Sequence, residues 1–268
     1  MRLTLLSLPI LIAAFLAAAF ATPSAARADD LRPFCADRPG KATPPCILDE
    51  GHLQVETALA DAVFLHAPGQ HEDVTAYGAT ELRAGLTSRL EVEAAWAPLI
   101  VDRVRGSGSV TGSGDATFGL RYSLTDPAKD GPQVSLQPYV NAPTATHGLG
   151  QGGWTGGFRT PVSAPLPAGF SLGFTPQVDI FRNDDGKGTH AAESATVSIS
   201  RGFGDTTLGA ELWGQNDGAP GHVTKQATFD LFAAQLFGKN SQLDGGVNLG
   251  LNHDTPTAEV YVGISHRF

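Results

Sequence analysis

The chain has two cysteines, and its one methionine is Met1. After the first 28 residues no run of 18 apolar residues occurs, which excludes a membrane-spanning helix from the rest of the chain. Windows with helical periodicity are scarce. Basic residues are also in deficit: 18 Lys and Arg stand against 27 Asp and Glu, a net charge of −9. That balance argues against nucleic acid as a partner. Glycine, by contrast, is abundant at 32 residues, which suits an all-β chain with many turns.

Residues 1–28 read as a secretory signal peptide. Arg2 supplies the positive start, Leu3 to Phe20 is almost wholly apolar, and Ala26-Arg27-Ala28 is a small-x-small cleavage site. A single membrane anchor is the alternative, disfavoured by Pro23 and the cleavage site. No cysteine lies just beyond the apolar run, so no lipid anchor is expected. Cleavage after Ala28 leaves 240 of the 268 residues and removes Arg2 and Arg27, shifting the net charge from −9 to −11. In an exported chain, Cys35 and Cys46 are expected to pair. Two thiols alone make a poor metal site, since zinc takes four ligands. Residues 29–50 are Pro-rich and show no strand pattern. They form either a stapled periplasmic tail or a plug folded into a lumen.

Residues 51–268 carry the fold. The last segment alternates strictly: Ala258, Val260, Val262 and Ile264 are apolar, Phe268 closes the row, and Glu259, Tyr261, Gly263, Ser265 and Arg267 fall between. Period-2 alternation places one face in an apolar medium and one in a polar medium. Twelve such segments are predicted: 53–64, 74–86, 90–99, 115–124, 133–142, 157–165, 170–180, 194–200, 207–215, 227–233, 242–252 and 258–268. The sixth and tenth are weakest, and without them the count is ten. The better-defined segments have the length of a tilted strand crossing a bilayer. The fold expected is an all-β, antiparallel, up-and-down transmembrane barrel of about twelve strands in a bacterial outer membrane.

An even strand count puts both ends of the barrel on the periplasmic side. The inner turns would then be 87–89, 125–131, 166–169, 202–205 and 238–241. The outer loops would be 66–73, 100–113, 144–156, 182–190, 215–222 and 253–256. Pro138, Pro161 and Pro176 fall inside strands, where bulges or irregular hydrogen bonding are expected. Trp96, Phe118, Tyr122, Phe170, Phe174, Phe229 and Phe268 point outward, toward lipid and its interfaces.

The same registers give a lumen. Its inward carboxylates are Glu56, Glu81, Glu91, Glu93, Asp115, Asp179, Glu211, Asp230, Asp244 and Glu259; its inward bases are Arg83, Arg121 and Arg267. Such an acidic interior favours cations in an open pore. Pairing of Arg with carboxylate across the lumen would instead close it, and twelve strands are compatible with either state.

Catalytic patterns are weak. Ser265 and His266 are neighbours on one strand and point to opposite faces, so they form no dyad. His66, His71, His147, His190, His222 and His253 fall in or near outer loops, where solvated histidine is commoner than a metal site. Gly148 to Trp154 lacks the Gly-Lys-Ser/Thr ending of a phosphate loop. Neither a cofactor nor a resident metal is expected.

Several short motifs resemble a known family. They are Asp37-Arg38-Pro39, Gly51-His52-Leu53-Gln54-Val55-Glu56, residues 82–92, residues 114–122 and Leu136-Gln137-Pro138-Tyr139-Val140-Asn141-Ala142-Pro143-Thr144. They are similar to outer-membrane transporter proteins catalogued with the MetA pathway of phenol degradation. The resemblance implies a β-barrel that passes or binds small solutes, aromatic or hydrophobic compounds among them, and gives no catalytic residues. The expected partners are the bilayer, a small solute, and the barrel-assembly machinery through the Phe268 strand. The alternatives are a barrel enzyme of lipase or deacylase type, and a closed structural or adhesion barrel.

Overall fold

A computed structural model describes residues 31–67 and 70–268, and the leader 1–28 lies outside the described residues. Sixteen strand segments follow in order: β1 (Leu53–Ala67), β2 (Gln70–Tyr77), β3 (Ala79–Thr87), β4 (Leu90–Trp96), β5 (Leu99–Val104), β6 (Gly108–Gly112), β7 (Ala116–Ser123), β8 (Gln133–Ala142), β9 (Thr155–Arg159), β10 (Val162–Pro165), β11 (Phe170–Arg182), β12 (Thr189–Phe203), β13 (Thr206–Asp217), β14 (Thr224–Phe237), β15 (Ser241–Gly250) and β16 (Ala258–Arg267). All pair antiparallel. β16 returns to β1, with Gln54 opposite Arg267, and closes the sheet on itself.

Four crossings are broken in two, so the sixteen segments make twelve barrel strands. β2 and β3 both pair with β1 and are separated only by Gly78. β4 with β5, β6 with β7, and β9 with β10 are divided in the same way. Pro98 and Pro161 lie in two of these breaks, where the missing N–H cannot extend a ladder.

The prolines interrupt bonding without shifting register. Around Pro138 the β7–β8 ladder skips from Gly119↔Tyr139 to Tyr122↔Leu136 in unchanged register. Pro176 sits in the continuous β11–β12 ladder, and its carbonyl accepts from Thr160 N at 3.0 Å across the β9–β10 break. None of the three is a bulge. The register shifts fall elsewhere, between Ala58 and Ala60 and between Gly85 and Thr87.

Two expected outer loops are strand instead. Residues 66–67 continue β1 and residues 70–73 belong to β2, while residues 100–112 lie in the β5–β6 hairpin, with Gly106 and Gly108 at positive φ near its tip. The β-branched residues Ile100, Val101, Val104 and Val110 favour that extension. β2 pairs with β5, so the two hairpins stand together at the end away from Phe268.

The barrel is polar inside and apolar outside. On β16, Val260, Val262 and Ile264 are exposed while Ser265 and Arg267 are buried. The largest fully buried side chains include Arg83, Arg121, Gln54, Gln137, Glu56, Glu91 and Asp230. Trp96, Phe118, Tyr122, Phe170, Phe174, Phe229 and Phe268 are all exposed. Burial here follows the apolar medium expected around the outer wall rather than a hydrophobic core.

Candidate functional site

Residues 32–50 run inside the barrel. Their prolines rule out regular structure, so their backbone groups must find partners on the wall. The segment starts and finishes at the terminal end, where Arg32 donates to Ser88 O at 3.1 Å and pairs with Asp49 at 3.4 Å. Its middle reaches inward. A disulfide joins Cys35 to Cys46 across its two arms, with Cα atoms 6.5 Å apart.

One side of the lumen holds the segment with arginines. Arg83 Nη1 donates to Cys35 O at 3.0 Å and Nη2 to Cys46 O at 3.2 Å. Arg121 Nη1 donates to Pro44 O and Cys46 O, each at 3.1 Å. Both guanidinium groups are buried and reach Asp37 of the segment. Wall carboxylates complete the network: Glu56 lies 3.0 Å and Glu91 2.8 Å from Arg83, and Glu93 lies 2.8 Å from Arg121. Glu56 also accepts from the backbone of Asp37 and Arg38, and Glu91 from Leu48 N. Burial alone would raise the Asp37 carboxyl, but Arg121 and Arg83 overrule it and hold it down to about 2.

The opposite side is acidic. Strand register sets Glu211, Asp230, Asn248 and Glu259 directly across from one another on β13 to β16. Glu211 accepts from Lys41 N at 2.6 Å and Ala42 N at 3.3 Å. Lys41 Nζ lies 3.0 Å from Glu259 and 5.1 Å from the centre of the Trp213 ring. Arg38 pairs with Asp244 at 3.1 Å and lies over Tyr261.

The residues expected in the lumen therefore fall into groups. Glu56, Arg83, Glu91, Glu93 and Arg121 form one network, and Glu211, Asp230 and Glu259 share one row. Glu81 lies opposite Glu56 on β3. Asp179 stands apart, accepting from Tyr139 OH and from Gln177 Nε2. Arg267 bonds Arg32 O and Asn240 at the terminal end. Asp115 clamps a loop, accepting from Ala145 N at 2.9 Å and Gln151 N at 3.0 Å.

The alternation read along β1 omits Asp61, because the register shift between Ala58 and Ala60 changes which residues face in. Before it Gln54, Glu56 and Ala58 are buried; after it Asp61 lies opposite inward-facing Tyr261. Lys41 and Trp213 were also missed as a pair, since they are brought together only by the path of the segment.

The histidines are spread over the far end. The His66 and His71 rings lie 5.0 Å apart and tilted, His66 meets Asp73 at 2.8 Å, and His190 meets Asp217 at 2.9 Å. Ser265 is buried, whereas His266 lies against Phe268 and hydrogen-bonds Ser241 at 2.8 Å. Among the described residues no carboxylate hydrogen-bonds the His266 ring, so that contact lacks the third member of a hydrolase triad.

Known proteins repeat the architecture. The NanC porin structure aligns with a TM-score of 0.51 at 9% identity, covering 80% of this chain and 98% of that one. The KdgM porin aligns with a TM-score of 0.50 at 10% identity, covering 80% and 99%. At such identities the likeness concerns the fold, that of outer-membrane β-barrels. No curated protein matches in sequence. The family described as "Putative MetA-pathway of phenol degradation" matches residues 36–268, and the chain belongs to that family.

Proposed function

We propose that this protein is a non-enzymatic bacterial outer-membrane channel or transporter for small solutes, closed at rest by residues 32–50. The observation that carries the reading is the nature of the contact between segment and wall. It is made largely of ion pairs and hydrogen bonds to backbone carbonyls, with Ile47 and Leu48 buried beside them. Polar contacts of this kind can be exchanged for water when a solute or a wall movement displaces the segment. The apolar exterior supports residence in a bilayer, and the fold shared with two porins supports passage along the lumen. The row from Glu211 to Glu259 supports cation preference once the way is clear. The family description supports an aromatic compound as one solute class. Assembly through the β16 strand, after export, is part of the same reading.

The test is conductance of the refolded chain in planar bilayers, with reversal potential under a salt gradient. Rare cation-selective openings are expected, made frequent by variants that free the segment. A barrel that inserts yet never conducts, even with residues 32–50 released, would be a closed structural barrel instead.

A further inference from the structure

The acidic row contains more carboxyl groups than the segment pairs with. Asp230 is fully buried and, among the described residues, neither of its carboxylate oxygens has a hydrogen-bond partner. Asn248 Oδ1, Asp61 Oδ1 and Tyr261 OH are buried and unpartnered among the same described residues. The residues concerned lie at adjoining positions of β1, β14, β15 and β16: Asp230 is opposite Asn248, Asn248 opposite Glu259, and Asp61 opposite Tyr261. A cavity of about 80 Å³ lies among Arg38, Lys41, Asp61, Asn248, Glu259 and Tyr261. Arg38, paired with Asp244, and Lys41, paired with Glu259, are the cations of the segment at this cavity.

The surroundings of the Lys41 ammonium are those of an amine-binding site. A carboxylate stands 3.0 Å away, and the face of Trp213 stands 5.1 Å away. Glu259 is itself oriented by Asn248 Nδ2 at 2.7 Å. An aromatic face beside buried carboxylates favours an organic cation over a strongly hydrated metal ion. Consistently, among the described residues no three His, Cys, Asp or Glu side chains converge to hold a metal. The Lys41 main chain is held separately, by Glu211, so its side chain can leave while the turn remains.

We propose that Lys41 occupies, as an internal stand-in, a lumenal site for solutes bearing a primary ammonium group. The inference rests on the reading of the lumen as a solute path, and it names one class of solute. A solute ammonium that replaces Lys41 severs one side-chain link between the segment and β16, the Lys41–Glu259 pair. Binding and opening are then coupled, because the solute and the plug compete for one cage.

The experiment is calorimetric titration of the folded full chain in detergent micelles with n-butylammonium chloride. n-Butanol is the neutral isostere and potassium chloride the inorganic control. Lys41→Met keeps the stem and removes the charge, and should bind n-butylammonium about tenfold more tightly than the native chain. Adding Glu259→Gln to that variant should abolish the gain. Heat-modifiable migration on gels confirms folding of each protein, and Lys41→Gln replaces Lys41→Met if the latter fails to fold. The proposal is overturned if Lys41→Met binds no more tightly, if n-butanol binds equally, or if potassium chloride competes equally well. Conductance separates it from the channel reading. Binding in a barrel that never conducts upholds the cage and removes the channel, whereas conduction without binding removes the cage alone.

Discussion

Arg121 clasps Asp37 with both terminal nitrogens, Nη1 standing 2.8 Å from Oδ1 and Nη2 bonding Oδ2. The two residues are 84 positions apart, one on the wall strand β7 and one on the segment inside the barrel. A paired fork of this kind fixes orientation as well as distance. It also joins the segment to Glu91 and Glu93, so the wall and its occupant share one charge network.

Removing Arg121 should release the segment. Arg121→Ala leaves Asp37 and Glu93 buried with one fewer counter-charge, and breaking a buried pair in this way costs about 3–5 kcal/mol. The barrel ladders do not depend on the guanidinium, so the wall should persist. More frequent channel opening in bilayers and faster proteolysis within residues 32–50 are expected. Arg121→Lys should fall between, because it keeps charge and loses the fork. Unchanged conductance and proteolysis in Arg121→Ala would remove the fork from the account.

Acid should act on the same contact. The Asp37 carboxyl lies at about 2 in the docked state and near 3.8 when free. A depressed value means that docking is helped fully above about pH 4 and that this help is lost as pH falls toward 2. Its size is about 2 kcal/mol. Glu56, Glu91 and Glu93 also face the two arginines, so the comparison must be with Asp37→Asn. Opening of the native channel should rise between pH 4 and pH 2 more steeply than opening of that variant. Parallel pH profiles would show that Asp37 does not hold the segment.

The disulfide presents two carbonyls to one side chain. Arg83 bonds Cys35 O and Cys46 O, and the Cys35–Cys46 bridge keeps those carbonyls close together. Closing a loop of 11 residues by a disulfide contributes up to about 3 kcal/mol, chiefly by restricting the undocked segment. Cys35→Ser with Cys46→Ser should therefore weaken docking while leaving thermal unfolding of the barrel nearly unchanged. Equal protease resistance of residues 32–50 with and without the bridge would contradict this.

The barrel was legible because each strand repeats a local rule. Val260, Val262 and Ile264 declare their face two residues at a time, and the boundaries of β8 follow from the same alternation. Asp61 was not legible, because one extra residue near Ala58 inverts the rule and a bulge has no strong local signal. The path of residues 32–50 was equally hidden. Its partners are remote: Arg38 pairs with Asp244 at a separation of 206 residues, and Lys41 with Glu259 at 218. Composition could say that the segment was irregular and stapled, but only the closed wall brings these charges together.

Gly263 shows how closely the wall is fitted to its occupant. It lies on β16 between inward-facing Tyr261 and Ser265, and a Cβ there would meet Arg38 Cζ and Nη2 at 2.6 Å. Its φ is not in the left-handed region, so alanine is compatible with the strand backbone and acts through the clash alone. Gly263→Ala should push Arg38 from Asp244, whose side chain is fully buried. The overpacking costs about 1–3 kcal/mol, and the weight falls on docking, since the β15–β16 ladder is untouched. Gly202→Ala is the control, because no atom of the described residues lies within 4 Å of its added Cβ. Opening should increase in Gly263→Ala and stay native in Gly202→Ala. Adding Arg38→Ala to Gly263→Ala removes the clash without restoring the pair. If steric expulsion is the cause, the double variant should open no more than Arg38→Ala alone; additive effects would mean that Gly263 acts on the barrel and not on the segment.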